Sequence, residues 1–407
     1  MQPSTWTGIS VVAVTFVSTA LCVGASQYGF GLFIAPLEND FGWTRTQISA
    51  SLSFAAVSGL AAPFLGRLMD RYGARPILVA SLIVSAIAFA LRPWMTELWQ
   101  WYALSFLQFI AYAGATVLPM GKLVALWFPT KRGRVMGFAA MGNNFGGLVV
   151  APLIGVALAI GTWKTGFIAL AVAAIVIGLV AWFVVREPPR DPSASSTDGG
   201  TPTAPVKSAT VREALRSRNF YSIFLAVMLG TFTYSAFLPH VFTHLTNEGV
   251  PVATATGALS ALAIGGILGK IGFGFLAERI GARFAASINL FGQAIFGCVL
   301  GFSSEPIALL LITPLFGFFM GGLGVLITLL VQDAFGIRHF GAIMGLISAG
   351  HVVSFGLGPI IAGYSFDTFA DYAPGFYFTA GLFVMGALTL LFGVRTQKST
   401  GDTATKT

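Results

Sequence analysis

Long apolar stretches broken by short polar interruptions dominate the chain. They lie near 8–37, 46–66, 76–96, 99–128, 135–160, 165–185, 219–245, 253–276, 283–302, 306–331, 340–366 and 374–394. Each is long enough to cross a hydrocarbon core, which takes about 20 residues of helix. In lipid the backbone must satisfy its own hydrogen bonds, so each stretch is expected to be a helix. The pattern therefore predicts an all-α membrane protein with 12 transmembrane helices. One interruption differs from the rest. The segment "REPPRDPSASSTDGGTPTAPVKSATVREALRSR" is rich in Pro, Ser, Thr and Gly. It reads as a flexible linker running into a short amphipathic helix. This divides the chain into a six-helix bundle over 1–187, a linker over 188–210 and a second six-helix bundle over 211–407.

Composition agrees. Of the 407 residues, 56% are hydrophobic and 9% are charged, against about 25% charged in soluble domains. The 49 glycines suit helices that pack closely in a membrane. Cys22 and Cys298 both sit in apolar runs, which argues against a disulfide framework or a metal site. No Walker loop, zinc-ligand spacing or nucleophile elbow is present, so the chain does not read as an enzyme, and no cofactor or metal is implied. The apolar run after "MQPSTWTGIS" is too long for a cleaved signal.

Charge gives the orientation. With the N-terminus in the cytoplasm, Arg45, Arg92 and Lys164 face outward, while Lys122 and Lys270 lie within spans. The remaining 23 − 5 = 18 of the Lys and Arg face the cytoplasm, in keeping with the positive-inside rule. Both termini are then cytoplasmic. The net charge of +8 is absorbed by this topology and needs no nucleic acid. The composition suits a bacterial inner membrane.

The halves repeat. "GRLMDRYGAR" (66–75) and "GFLAERIGAR" (274–283) follow the second and eighth spans with Gly, acid, Arg, Gly and Arg at the same offsets. "GRVMGFAAMGNNFGGLVVAPLIG" and "GAIMGLISAGHVVSFGLGPIIAG" open the fifth and eleventh spans. Two pseudo-symmetric bundles related by such a repeat place a substrate site near the midplane between them.

All fifteen acidic residues fall outside the apolar stretches, whereas Lys122, Lys270 and His351 fall inside them. Ionisable groups at membrane depth mark substrate or ion paths by default. Cations with no buried carboxylate need an anion from elsewhere, and a transported anion supplies it. Lys270 is the main candidate anchor, against the alternative of a lysine snorkelling to the interface. His351 is the second, able to bind a carboxylate when protonated and to release it on losing the proton. By the internal repeat, Asn143 and Asn144 face His351 across the pseudo-two-fold. Their amides either donate to a carboxylate or bridge helices. Lys122 lies closer to an end, where snorkelling is easy. His240 and His244 fall near the outer end of the seventh span and read as interfacial.

"GRLMDRYGAR" resembles the signature loop of the major facilitator superfamily, and the resemblance extends over the whole chain. It implies the major facilitator fold, with Gly66, Asp70, Arg71, Gly73 and Arg75, and Gly274, Glu278, Arg279, Gly281 and Arg283, locking the halves together while the cavity faces outward. Ser105, in "SFLQF", stands where many proton-coupled members carry an arginine, and Ala151 stands for a usual glycine in "GLVVAPLIG". "SQYGFGLFIAPLENDFGWTRTQIS" resembles the start of bacterial members of the monocarboxylate and oxalate:formate branches, with Gln27 and Tyr28 at substrate-contacting positions of the latter. Lys270 matches the offset of a substrate-binding arginine in the monocarboxylate branch, where Gly266 replaces an acid one turn earlier. His351 matches a lysine of the oxalate:formate branch. Together these imply a monomeric secondary transporter of small organic anions, working by alternating access, with lactate- or pyruvate-like monocarboxylates carried by proton symport. Carboxylate exchange with a counter-anion is the alternative, and export of amphipathic compounds the more distant one. A membrane receptor without transport is disfavoured by the intact loops of both halves.

Overall fold

The computed structural model describes residues 5–128, 132–188, 209–303, 305–336 and 340–394. Most of the expected linker lies outside them. Eleven helices among the described residues are long and apolar enough to cross a membrane. We label them with the second segment in chain order: α1 Trp6–Tyr28, α3 Ala74–Trp94, α4 Leu98–Val124, α5 Phe138–Ile160, α6 Trp163–Val184, α7 Arg218–Asn247, α8 Val252–Ile280, α9 Ala282–Phe302, α10 Pro306–Phe335, α11 Ile343–Phe369 and α12 Ala373–Gly393. Segment α2 is helical too, in three abutting pieces, Arg45–Ala50, Ser51–Phe54 and Ala55–Tyr72. Its serines and the charged residues Arg67, Asp70 and Arg71 dilute its apolar character.

The termini of these helices follow from their sequence. Thr44 opens α2 with a reciprocal cap: its hydroxyl accepts from Gln47 N at 3.2 Å, and Gln47 Oε1 accepts from Thr44 N at 2.9 Å, which satisfies two donors the helix leaves unpaired. Glu97 and Gln100 cap α4 in the same way. Gly73 and Gly281 end α2 and α8 with φ of +93° and +85°. Both belong to the repeated loops, and only glycine takes this backbone without strain. The repeat is therefore visible in the main chain.

The expected first span, 8–37, is not one helix. Its Gly24–Tyr28 turn is a π-helix, closed by Gly29 N donating to Gly24 O at 2.7 Å, and a separate helix restarts at Gly31–Phe41. The matching place in α7, Thr233–Phe237, is a π-turn as well. Helices α5 and α11 also break at equivalent points, at Met141 and at Ala349–Gly350. Such breaks free backbone carbonyls for other partners.

Each half contributes its own aromatic stack to one shared buried cluster. Phe33 stacks on Phe167 at 4.0 Å in the first half, and Phe237 on Phe376 at 4.2 Å in the second. In the second half α8 and α10 touch backbone to backbone. A Cβ added at Gly265, Gly269, Gly317 or Gly321 would overlap a carbonyl of the facing helix.

The halves meet tightly at the face opposite the two signature loops, the far face here. Asp367 of α11 accepts from Arg45 N at 3.1 Å and from Thr46 N at 2.9 Å. The Arg45 guanidinium pairs with Glu38 at 2.9 Å, reaches Tyr372 Oη at 3.3 Å and lies 3.5 Å from the centroid of Phe366. Deeper in, Ser49 Oγ and His240 Nε2 are 2.9 Å apart. His240 Nδ1 faces the Ala236 carbonyl, which only accepts. Nδ1 therefore carries the hydrogen, and Nε2 accepts from Ser49. His240 and His244 are 0% and 1% exposed, so the interfacial expectation is corrected: both are core residues.

Candidate functional site

A cavity of about 860 Å³ lies between the halves. Met136, Thr328, Leu329, Gln332 and Ser348 line its outer reaches, close to the signature-loop ends of α5, α10 and α11. The Arg45 and His240 contacts close the opposite end. The cavity therefore opens toward the signature loops.

Of the residues expected to bind substrate, Gln27, Tyr28, Asn143, Asn144, Lys270 and His351 all line this cavity. No acidic residue does so among the described ones. Lys270 lies ten residues before the end of α8, about 15 Å of helix rise. Its ammonium donates to Ala140 O at 3.0 Å, across the interface between halves. That carbonyl is available because α5 breaks after it: Asn144 N bonds Met141 O instead, at 3.0 Å. A lysine ammonium has three donors, so this bond leaves capacity for a ligand.

His351 follows the same logic in α11. Its Nδ1 lies 2.7 Å from Ser348 O, a carbonyl next to the Ala349–Gly350 break. A carbonyl accepts only, so Nδ1 carries a hydrogen and the neutral ring presents a lone pair at Nε2. His351 and Lys270 thus each cap a carbonyl at the end of a broken helix beside the cavity.

Asn144 is 4% exposed, and its Nδ2 donates to Tyr28 Oη at 3.1 Å. The amide also packs on Gly266, where an added Cβ would overlap Nδ2. Gly266 is therefore the space the amide needs. Asn144 joins α1 to α5 and approaches α8, while its neighbour Asn143 is exposed to the cavity.

Lys122 does not reach the cavity. Its ammonium donates to Met69 O at 2.6 Å and sits 3.6 Å from Glu187 Oε1. Glu187 also accepts from Ala74 N at 2.6 Å. Lys122 thus ties α4 to the base of the first signature loop. In that loop Arg75 lies over Trp182 of α6, 4.4 Å from the ring centroid. In the second loop Arg283 donates to Leu391 O of α12. Each arginine reaches the last span of its own half. The Asp70 side chain lies outside the described ones.

Two features were missed in the sequence. Tyr234 lines the cavity and donates to Met320 O at 3.0 Å. It sits on the π-turn of α7 as Tyr28 sits on that of α1, and such turns often mark functional sites. The tyrosine in each half was the available signal. Arg92 is the larger one: it stands at the far-face end of α3, but its side chain turns into the bundle. It is 3% exposed and donates to Gln108 Oε1 at 2.8 Å and to Ser105 Oγ at 3.3 Å. Trp101 and Phe167 flank its guanidinium at 4.7 and 4.8 Å. The Ser105 hydroxyl thus meets a guanidinium brought from α3. A void of about 20 Å³ beside it shares Ser26, Leu52 and Phe109 with the walls of the main cavity.

The model of the Major Facilitator Superfamily matches residues 16–336 and 249–407. The chain belongs to the major facilitator superfamily. As a member it is an integral membrane protein and a secondary transporter. It is 24% identical over 389 residues to monocarboxylate transporter 13 of Bos taurus, covering 94% of this chain and 88% of that one. It is 22% identical over 377 residues to the hexuronate transporter of Bacillus subtilis (strain 168), covering 88% of both. In fold it is similar to a solved bacterial homologue of the human lysosomal transporter Spinster, inward-facing and unoccupied. The TM-score is 0.73 at 17% identity, over 98% of this chain and 100% of that one.

Proposed function

We propose that this superfamily member carries small monocarboxylates of the lactate or pyruvate kind together with a proton, by alternating access. The observation that carries the reading is Lys270 and His351 on one cavity that no acidic residue lines among the described ones. Lys270 supplies the fixed positive charge for the carboxylate. His351 supplies the condition. With its Nδ1 hydrogen held by Ser348 O, the neutral ring keeps a lone pair at Nε2, which repels an anion. Protonation converts Nε2 into a charged donor. Anion and proton then bind together, and their summed charge is zero. Tyr28, Gln27 and Asn143 shape the site, and Asn144 positions Tyr28. The monocarboxylate and hexuronate named for the relatives support the substrate class.

In this proposal the signature loops lie in the cytoplasm of a bacterial cell, in its inner membrane, and the described arrangement faces inward. The bundles are those of 1–187 and 211–407, and the protein works as a monomer. The acid and arginines of the two loops hold that face shut in the opposite state.

Exchange of one carboxylate for another is the second reading, and Lys270 itself favours it. A carrier returning empty turns over with that charge uncompensated, whereas a counter-anion removes the cost.

The test is uptake of labelled carboxylates into liposomes, with and without a pH gradient, for the native protein, Lys270→Ala and His351→Ala. We expect a gradient to drive native uptake, Lys270→Ala to lose it, and His351→Ala to keep exchange but lose the response to the gradient. Normal uptake and affinity in Lys270→Ala would remove the basis of the assignment.

A further inference from the structure

At the far face, one ring nitrogen of His244 and one carboxylate oxygen each of Glu248 and Asp371 lie within 4.8 Å of one another. His244 and Glu248 are four residues apart at the end of α7, so both fall on one face of the helix. Asp371 comes from the turn between α11 and α12, whose Ala370 is left-handed at φ 57°. Its Oδ1 accepts from Ala373 N at 2.9 Å, which fixes the carboxylate. His244 is 1% exposed, and its Nε2 lies 2.9 Å from Leu300 O. That carbonyl only accepts, so Nε2 carries the hydrogen and Nδ1 of the neutral ring presents a lone pair. Nδ1 is buried with no hydrogen-bond partner. A buried lone pair on a ring next to two carboxylates is unfavourable unless a cation satisfies it.

We propose that His244 Nδ1, Glu248 and Asp371 form a binding site for a divalent transition cation of the zinc class. This goes beyond the transport reading and does not depend on it. A metal-bound imidazole almost always donates its other N–H to a carbonyl or carboxylate, as His244 does to Leu300. Imidazole and carboxylate are both zinc ligands, and three of them leave a fourth tetrahedral position for water, while the imidazole disfavours magnesium and calcium. Metal bonds of about 2.0–2.1 Å in a tetrahedron place donors roughly 3.3 Å apart. Glu248 is partly exposed and can move, and Asp371 keeps Oδ2 beside the Oδ1 that Ala373 N holds, so the donors can close that distance.

The site touches the far-face seal. Glu248 and Asp371 are the chain neighbours of Asn247 and Tyr372, whose oxygens lie 3.5 and 3.3 Å from Arg45 Nη1. A cation tying 248 to 371 stiffens the platform on which Arg45 of the other half docks, and so favours the state closed at this face.

The test uses the whole purified protein, stripped with a chelator and titrated with Zn²⁺ or Co²⁺. We expect saturable binding at one site, a rise in melting temperature, and visible Co²⁺ bands of a nitrogen-bearing site. Affinity falls at least tenfold in Glu248→Gln and in Asp371→Asn, and the Co²⁺ bands vanish in His244→Gln. Glu248→Gln lies at a helix end and keeps the test valid if His244→Gln misfolds. Absence of metal-dependent stabilisation overturns the proposal and leaves a proton as the cation on Nδ1. Native affinity in Glu248→Gln and in Asp371→Asn overturns it as well.

Discussion

Lys270 Nζ donates to Ala140 O across 3.0 Å, and the two atoms belong to opposite halves. The bond gives the ammonium a neutral partner while the cavity opens toward the signature loops, and that partner is a dipole a carboxylate can outcompete. Replacing Lys270 by Met should lower carboxylate affinity by about 10- to 100-fold, since a hydrogen bond to a charged group contributes about 1.5–3 kcal/mol. Lys270→Arg should keep part of it, because the charge remains while the reach and geometry change. Protection of the purified protein from heat by lactate-like anions measures both.

His351 should make that affinity depend on pH in one direction. Its protonated ring donates to the anion and its neutral ring does not, so affinity rises as pH falls. In His351→Gln the slope should flatten, with the residual affinity set by Lys270. Binding titrations across the pH range read the slope. A slope unchanged in the variant would move the proton elsewhere.

Gly266→Ala should destabilise the protein and loosen the junction of α5 with α8. The added methyl overlaps Asn144 Nδ2, and overpacking of this kind costs about 1–3 kcal/mol. The double variant Gly266→Ala, Asn144→Ala should recover part of the melting temperature. It should not recover substrate affinity, because Tyr28 has lost the partner that positions it.

Asp367→Ala should shift the protein toward the state open at the far face. It removes the acceptor of Arg45 N and Thr46 N. Asp367 is exposed, so the shift is roughly 1 kcal/mol, about fivefold in population. Spin labels at Asn39 and Thr368, exposed on opposite halves, should report a larger share of long distances.

Gln108→Leu should cost more stability than Ser105→Ala. The first strips the buried guanidinium of Arg92 of its 2.8 Å acceptor, and an orphaned charged donor costs about 1–3 kcal/mol or more. The second removes a longer contact of 3.3 Å. Thermal unfolding in detergent ranks them.

The apolar runs, the repeat and the charge asymmetry carried the architecture, because each is a property of segments rather than of single contacts. Gly73 and Gly281 were legible for the same reason: the loops repeat, and the backbone they need is written as glycine. The cavity was legible at Lys270 and His351, since an ionisable residue in an apolar run is conspicuous by itself. Arg92 was not. It stands at the end of its run beside Pro93 and Trp94, where an arginine reads as a loop charge, and only the fold bends its side chain back to Gln108. His240 and His244 escaped for a related reason, since their burial depends on α2 and α9, which are distant in sequence. The π-turns of α1 and α7 have no local composition that announces them.

The glycine seam between α8 and α10 has a consequence for how this gene can drift. At Gly265, Gly269, Gly317 and Gly321 the opposing main chain occupies the volume of even a methyl group. Substitution there has no conservative option, whereas the lipid-facing leucines and isoleucines a few residues away can exchange freely. A saturating mutational library should therefore show a narrow line of intolerance running through a permissive surface, and lineages should differ in what they transport long before they differ along that line.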